Sequence, residues 1–189
     1  MDFLQKYNHK KNFRFKSFEF ALQEAKKRNH KTLVETGVAR GKIKFFLFSR
    51  VNWKDGMSTM IFSDYARHIN GSLYTCDIET QYIDNAKKFC KDNKEFITFI
   101  IDDSINFLKN FKKSIDFLYL DSLDGQFKDA SAHQLKEIEF AIKNLKKDSL
   151  VLLDDKGSKT NLSIDFMIKN NFRIINETRE QVLLTYDGN

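Results

Sequence analysis

LVETGVARGKIKFFLFSRVNWKDGMSTMIF, residues 33–62, is the stretch whose reading decides the fold. A short apolar run ends in Glu35, and glycines follow at Gly37 and Gly41. Glycine after a first strand lets the backbone turn tightly and approach a ligand closely. A helix is expected next, offering unpaired N–H groups and a positive dipole end. Here fourteen residues intervene first, 42–55, rich in aromatic and basic side chains. A helix start then reads Asp55-Gly56-Met57-Ser58-Thr59, with cap-forming side chains. In dinucleotide folds an acid follows the glycine loop by about 20 residues and binds ribose hydroxyls. Asp77 lies 40 residues after Gly37 but 21 after Gly56. The loop therefore reads as extended by an insert.

Outward from this stretch, short unbroken apolar runs mark strands at 32–35, 72–77, 96–101, 115–120 and 149–153. Runs of this kind suit strands buried on both faces. Helical spacing of apolar residues marks 57–69 and 130–146, with shorter helices at 80–91, 104–112 and 161–170. A helix over 16–29 precedes the first strand, and strands at 172–176 and 181–186 close the chain. The alternation predicts an α/β fold with a mostly parallel sheet and helices on both faces. Ligands in such sheets sit beyond the carboxyl ends of the strands. All five leading strands end in acids: Glu35, Asp77, Asp102-Asp103, Asp121 and Asp154-Asp155.

With 189 residues, 41% hydrophobic and 31% charged, the chain reads as one globular domain able to bury a full core. No apolar run reaches membrane-spanning length, the first residues lack a signal-peptide core, and the cytoplasm is the default expectation. Cys76 and Cys90 lack metal-ligand spacing and read as core thiols. The net charge of +6 is uneven. Residues 1–31 carry nine Lys/Arg against three Asp/Glu, and the remainder carries 23 of each. Residues 1–30 are therefore read as a basic arm and helix, and 31–189 as a single cofactor-binding domain. Such an arm allows contact with phosphates or an acidic partner, or serves as a solvated face.

The motif Glu35-Thr36-Gly37-Val38-Ala39-Arg40-Gly41, with the later Asp-Gly-Met-Ser-Thr, resembles class I S-adenosylmethionine-dependent methyltransferases. It is most similar to small enzymes related to the macrocin and catechol O-methyltransferases and to cephalosporin hydroxylase-like proteins. The resemblance spans roughly residues 31–156. It implies a Rossmann-like, doubly wound, seven-stranded sheet with the last strand antiparallel. It implies S-adenosylmethionine as cofactor, with Glu35, Gly37, Gly41 and Ser58 around its methionine part. Asp77 would take the ribose hydroxyls, a role suited to two acceptor oxygens, and Asp103 with Ser104 the adenine. Asp121 would face the transferred methyl. Relatives of the catechol type hold Mg²⁺ with acids in these places, so Asp121, Asp154 and Asp155 are candidate ligands for Mg²⁺ or another divalent cation. Asp155 stands where the catechol-type pattern has Asn.

His133 is a candidate base, and the alternative is a surface or packing histidine. Lys156 and Lys159 are candidates for pairing with an acidic substrate. The insert carries Phe45, Phe46, Phe48 and Trp53 with Lys42, Lys44 and Arg50. It reads as a lid over the acceptor or as a plug packed on the domain or on a second copy. The absence of proline excludes the Pro-containing motifs of DNA base methyltransferases. The expectation is methylation of oxygen on a small-molecule acceptor, with homo-oligomers allowed. The alternatives are a metal-dependent hydroxylase-like enzyme on the same scaffold, or a binding module whose arm docks nucleic acid or a partner.

Overall fold

The computed structural model describes residues 1–45 and 48–187, and of 42–45 and 48–50 the backbone. Its strands are β1 (Thr32–Thr36), β2 (Lys42–Phe45), β3 (Phe48–Val51), β4 (Ser72–Asp77), β5 (Ile97–Ile101), β6 (Ile115–Leu120), β7 (Leu145–Leu153), β8 (Phe172–Glu177) and β9 (Val182–Tyr186). Its helices are α1 (Phe15–Lys27), α2 (Ser58–His68), α3 (Thr80–Phe89), α4 (Ser104–Asn110), α5 (Ala130–Ala141) and α6 (Thr160–Lys169). Seven strands form one sheet in the order β5-β4-β1-β6-β7-β9-β8, and β2 pairs with β3 in a separate hairpin. The pairs β5·β4, β4·β1, β1·β6 and β6·β7 are parallel, and β9 runs antiparallel to both neighbours. This is the mostly parallel, doubly wound sheet expected from the alternating pattern.

The unbroken apolar runs are explained by a period of two with both faces covered. Leu33, Phe117, Tyr119, Leu150 and Leu152 pack with Phe18 and Leu22 of α1 and Phe62 and Tyr65 of α2. The alternate residues Val34, Leu118, Leu120, Val151 and Leu153 pack on the other face with Leu108 of α4, Ile138 of α5 and Met167 of α6. Residues of the basic first segment thus belong to the same core as the central strands.

The largest boundary difference from the sequence reading lies between α5 and β7. The helical pattern read through 146 ends sooner, and β7 already begins at Leu145. Its first stretch, Lys146-Lys147-Asp148, is exposed, and Asp148 takes a positive φ of 69°. The pairing with β6 shifts register there, between Ile115 and Phe117. Those charged residues carry no strand-like apolar alternation, which is why the pattern hid them.

Candidate active site

Sheet register brings the strand-end acids to one rim. Thr36 pairs with Cys76 on one side and Leu120 on the other, and Leu120 pairs with Leu153. The ladder runs slightly further: Gly37 N–H donates to the Cys76 carbonyl at 2.9 Å, Asp121 N–H to Thr36 at 2.9 Å and Asp154 N–H to Leu120 at 3.2 Å. Gly37, Asp77, Asp121 and Asp154 are each one residue beyond a pair in that ladder. β1 lies between β4 and β6, so the crossovers diverge at this point and leave a crevice above it.

A cavity of about 470 Å³ opens there, lined among others by Gly37, Arg40, Ser58, Asp77 and Asp121. A smaller one of about 170 Å³ continues from it, lined by Cys76, Ile78, Asp103, Ser104 and His133. Gly37, Asp77, Ile78, Ser122 and Leu123 line both, so the two form one groove. Gly37 has a φ of +81°, and a Cβ there would stand 2.1 Å from the Asp121 carbonyl oxygen. Only glycine permits this close approach of the turn after β1 to the end of β6.

The turn after β1 is held by side-chain acceptors. Asp77 Oδ2 accepts from Val38 N–H at 2.9 Å, and Oδ1 accepts from Glu79 N–H at 2.8 Å. Thr59 Oγ1 accepts from Ala39 N–H at 2.9 Å, and Asp55 Oδ2 from Arg40 N–H at 3.0 Å. Arg40 pairs with Asp124 across the larger cavity, and its guanidinium lies 5.5 Å from the Tyr82 ring centre. Arg40 was not singled out in the sequence; its only signal was its place between the two glycines.

Two expected cofactor residues, Glu35 and Gly41, are absent from the cavity linings. Glu35 is fully buried and accepts from Ser58 Oγ and Thr75 Oγ1, both at 2.6 Å. Burial pushes its carboxyl up to about 7, against the pull of its hydroxyl donors. Glu35 therefore lies below the groove and fixes Ser58, which does line it. Gly41 lies outside the lining of either cavity; a Cβ there would collide with the Phe89 ring at 1.9 Å, so its glycine answers a packing need.

At the smaller end, Asp103 caps α4, its Oδ1 accepting from Asn106 N–H at 3.0 Å. His133 lies 3.0 Å from Ser104 Oγ through Nε2. His133, a candidate base in the sequence, lies beside Ser104 in the lining of the smaller cavity, while Asp121 lines the larger one.

The three acids read as metal ligands do converge, but around cations of the chain itself. Arg14 Nε donates to both oxygens of Asp154 at 2.8 and 2.7 Å, and its terminal nitrogens reach Asp155 Oδ1 at 3.0 Å and the Lys54 carbonyl at 2.8 Å. Lys159 Nζ bridges Asp121 Oδ1 at 2.8 Å and Asp155 Oδ2 at 3.0 Å. Tyr119 OH donates to Asp154 at 2.9 Å. Asp154 is wholly buried. Burial alone would raise its carboxyl, but Arg14, together with hydrogen bonds from Asp121 and the Asp155 backbone, holds it below the usual range. At Asp121, burial and the Asp154 charge raise the carboxyl, and Lys159 opposes them. Among the described residues, no three His, Cys, Asp or Glu side chains are disposed to hold a metal ion. A divalent cation does not fit this donor set as arranged. Lys159 and Lys156 are likewise committed internally, Lys156 to Glu177.

Of the insert, the side chains of Lys42, Lys44, Phe45, Phe46, Phe48 and Arg50 lie outside the described residues. Trp53 stacks on His9 with ring centres 4.8 Å apart, while Asn52, Lys54 and Asp55 line the larger cavity. Among the described residues no helix is long and apolar enough to cross a membrane.

A family model described as a methyltransferase domain matches residues 34–156. No curated protein matches the sequence. Among solved structures, an O-methyltransferase from Bacillus cereus in complex with SAH is similar, with 12% identity, 89% of this chain and 79% of that chain covered, and a TM-score of 0.62. An SAH-bound methyltransferase from Podospora anserina shows 11% identity, 90% and 78% coverage, and a TM-score of 0.65. An rRNA methylase from Streptococcus thermophilus shows 13% identity, 93% and 96% coverage, and a TM-score of 0.63.

Proposed function

The chain belongs to the methyltransferase-domain family, and from that premise we propose that it moves a methyl group from S-adenosylmethionine to an oxygen of a small acceptor. The observation that carries this reading is the single groove with Asp77 at its centre, Asp103 and Ser104 at one end and Asp121 at the other. The Bacillus cereus and Podospora anserina neighbours hold SAH on the same fold.

The residues fit such a ligand. The smaller cavity joins apolar walls (Cys76, Ile78, Leu123) to polar groups at Asp103, Ser104 and His133, as a purine requires. Asp77 is pinned by two backbone N–H groups, and its remaining lone pairs face the groove for ribose hydroxyls. The Val38-Ala39-Arg40 turn and Ser58 bound the methionine end.

When bound, S-adenosylmethionine supplies an electrophilic methyl on a sulfonium sulfur. The chain's part is to seat an acceptor oxygen in line with that methyl and to exclude water. Gly37, Ser58, Asp77, Asp103 and Ser104 would hold the cofactor, whose sulfonium sulfur would supply the leaving group. Asp121 lines the groove with Oδ1 held by Lys159, and its Oδ2 takes the acceptor's proton.

A small acceptor is favoured over nucleic acid because the basic first segment spends much of its charge internally. Arg14 is inside the site, Lys6 pairs with Asp64, Lys16 with Glu19, and Lys27 and Arg28 with Glu24. The test is calorimetric titration with S-adenosylhomocysteine: binding at micromolar concentration is expected, and no heat at millimolar ligand would overturn the proposal.

A further inference from the structure

We infer that Arg14 and Lys159 are positioning residues that stand in for a divalent cation, so that the acceptor end works on the chain's own two positive charges. Asp121, Asp154 and Asp155 bring three negative charges to one rim. Arg14 and Lys159 return two, the charge that one divalent ion would supply. The replacement is complete in its contacts. Both Asp154 oxygens are taken by Arg14, and one also accepts from Tyr119. Asp155 gives one oxygen to Arg14 and the other to Lys159. Lys159 is 2% exposed, so it is no surface ammonium that drifts aside.

Three further contacts lock this arrangement. Asp155 takes a positive φ of 54°, turning its side chain back across the start of the 155–159 turn, where Lys159 N–H donates to the Asp155 carbonyl at 3.1 Å. Gln181 donates to Tyr119 OH at 3.3 Å, and Ser17 of α1 donates to Gln181. Arg14 and Ser17 thus anchor the first segment to the site from one turn of chain. A divalent ion would have to expel both cations and break these contacts. The inference rests on the ion-pair geometry and needs no methyl transfer to be read out.

Its test is titration of the full chain with Mn²⁺ alone. The wild type takes up no stoichiometric Mn²⁺ and binds S-adenosylhomocysteine equally with EDTA or Mg²⁺. Lys159→Met frees Asp121 and Asp155 and gains Mn²⁺ affinity by about tenfold or more, the scale on which groups around a metal tune it. Lys159→Arg keeps a cation and titrates like the wild type, and Asp155→Asn added to Lys159→Met abolishes the gain. The inference is overturned if wild type binds one Mn²⁺ and Asp155→Asn weakens it, or if Lys159→Met and wild type titrate alike. Should Lys159→Met lose its native circular dichroism, the wild-type titration decides. A wild type that binds Mn²⁺ and S-adenosylhomocysteine sinks this inference alone; one that binds neither sinks only the methyl-transfer reading.

Discussion

Glu35 and Asp154 are both carboxylates at strand ends on one rim, and both are wholly buried. Glu35 meets hydroxyl donors and no cation, and its carboxyl is pushed up to about 7. Asp154 meets a guanidinium that grips both its oxygens, and its carboxyl is held low. The same contrast divides the groove. Toward the smaller cavity it offers carboxylates with lone pairs to spare, at Asp77 and Asp103. Toward the larger cavity it offers carboxylates paired with Arg14 and Lys159. Acids that look alike along the chain are given opposite tasks by what folding sets beside them.

The contrast breaks most visibly at Arg14. Arg14→Ala leaves Asp154 buried with a hydroxyl partner but no cation, and losing one partner of a buried pair costs about 3–5 kcal/mol. Urea denaturation at neutral pH is expected to show a loss of this size. A loss under about 1 kcal/mol would mean that Arg14 behaves as a surface pair and that the two ends of the groove differ less than their geometry says.

Glu35 sharpens the comparison through pH. Its folded carboxyl keeps a proton that the unfolded chain releases at its ordinary value of 4.5. Below that value both states are protonated and burial carries no ionic cost. As pH rises toward 7 the folded state holds the extra proton, so stability falls through this window and then levels off. The span corresponds to about 3 kcal/mol. Glu35→Gln removes it, so the variant gains on the wild type between pH 4.5 and 7 when urea midpoints are compared. A difference constant with pH would place a cation at Glu35 after all.

Asp77 tests the open end directly. Replacing a carboxylate that accepts two hydroxyls forfeits charge-assisted hydrogen bonds worth about 1.5–3 kcal/mol each. Asp77→Ala should therefore weaken S-adenosylhomocysteine on the order of 100-fold or more by calorimetry. Asp154→Asn, at the closed end, should leave that affinity within about threefold, because Asp154 lies outside the lining of both cavities. Equal losses in the two variants would erase the distinction between the ends.

These contrasts also mark how far the sequence could be read. The strands, the glycine turn and Asp77 were legible because each rests on local spacing: apolar runs of strand length, a positive-φ glycine, 21 residues from Gly56 to an acid. The mostly parallel sheet with helices on both faces followed from alternation, and its seven strands from the family resemblance. Lys159 left a faint trace, four residues after Asp155, the separation of one helical turn. Arg14 left none, since it meets Asp154 across 140 residues of chain. Three acids without that arginine and lysine read as a metal site, because long-range pairs are what a single sequence hides. Glu35 misled in another way: its place at the end of β1 was right, but β1 is buried on both faces, so the side chain points into the protein beneath Ser58.

His133 carries the smallest expected effect and discriminates most finely. As a base at the methyl it would be worth about 10²–10⁴ in rate. Placed against Ser104, it instead bounds the smaller cavity, where the proposed reading seats adenine. His133→Ala then removes one hydrogen bond and some wall, about 0.5–1.5 kcal/mol. That is a few-fold to about tenfold weakening of S-adenosylhomocysteine. Ser104→Ala should cause a similar loss, and the double variant should lose less than both together, since the two side chains share one hydrogen bond. Full additivity would mean that they act separately, and an unchanged affinity in His133→Ala would remove the histidine from the nucleoside end.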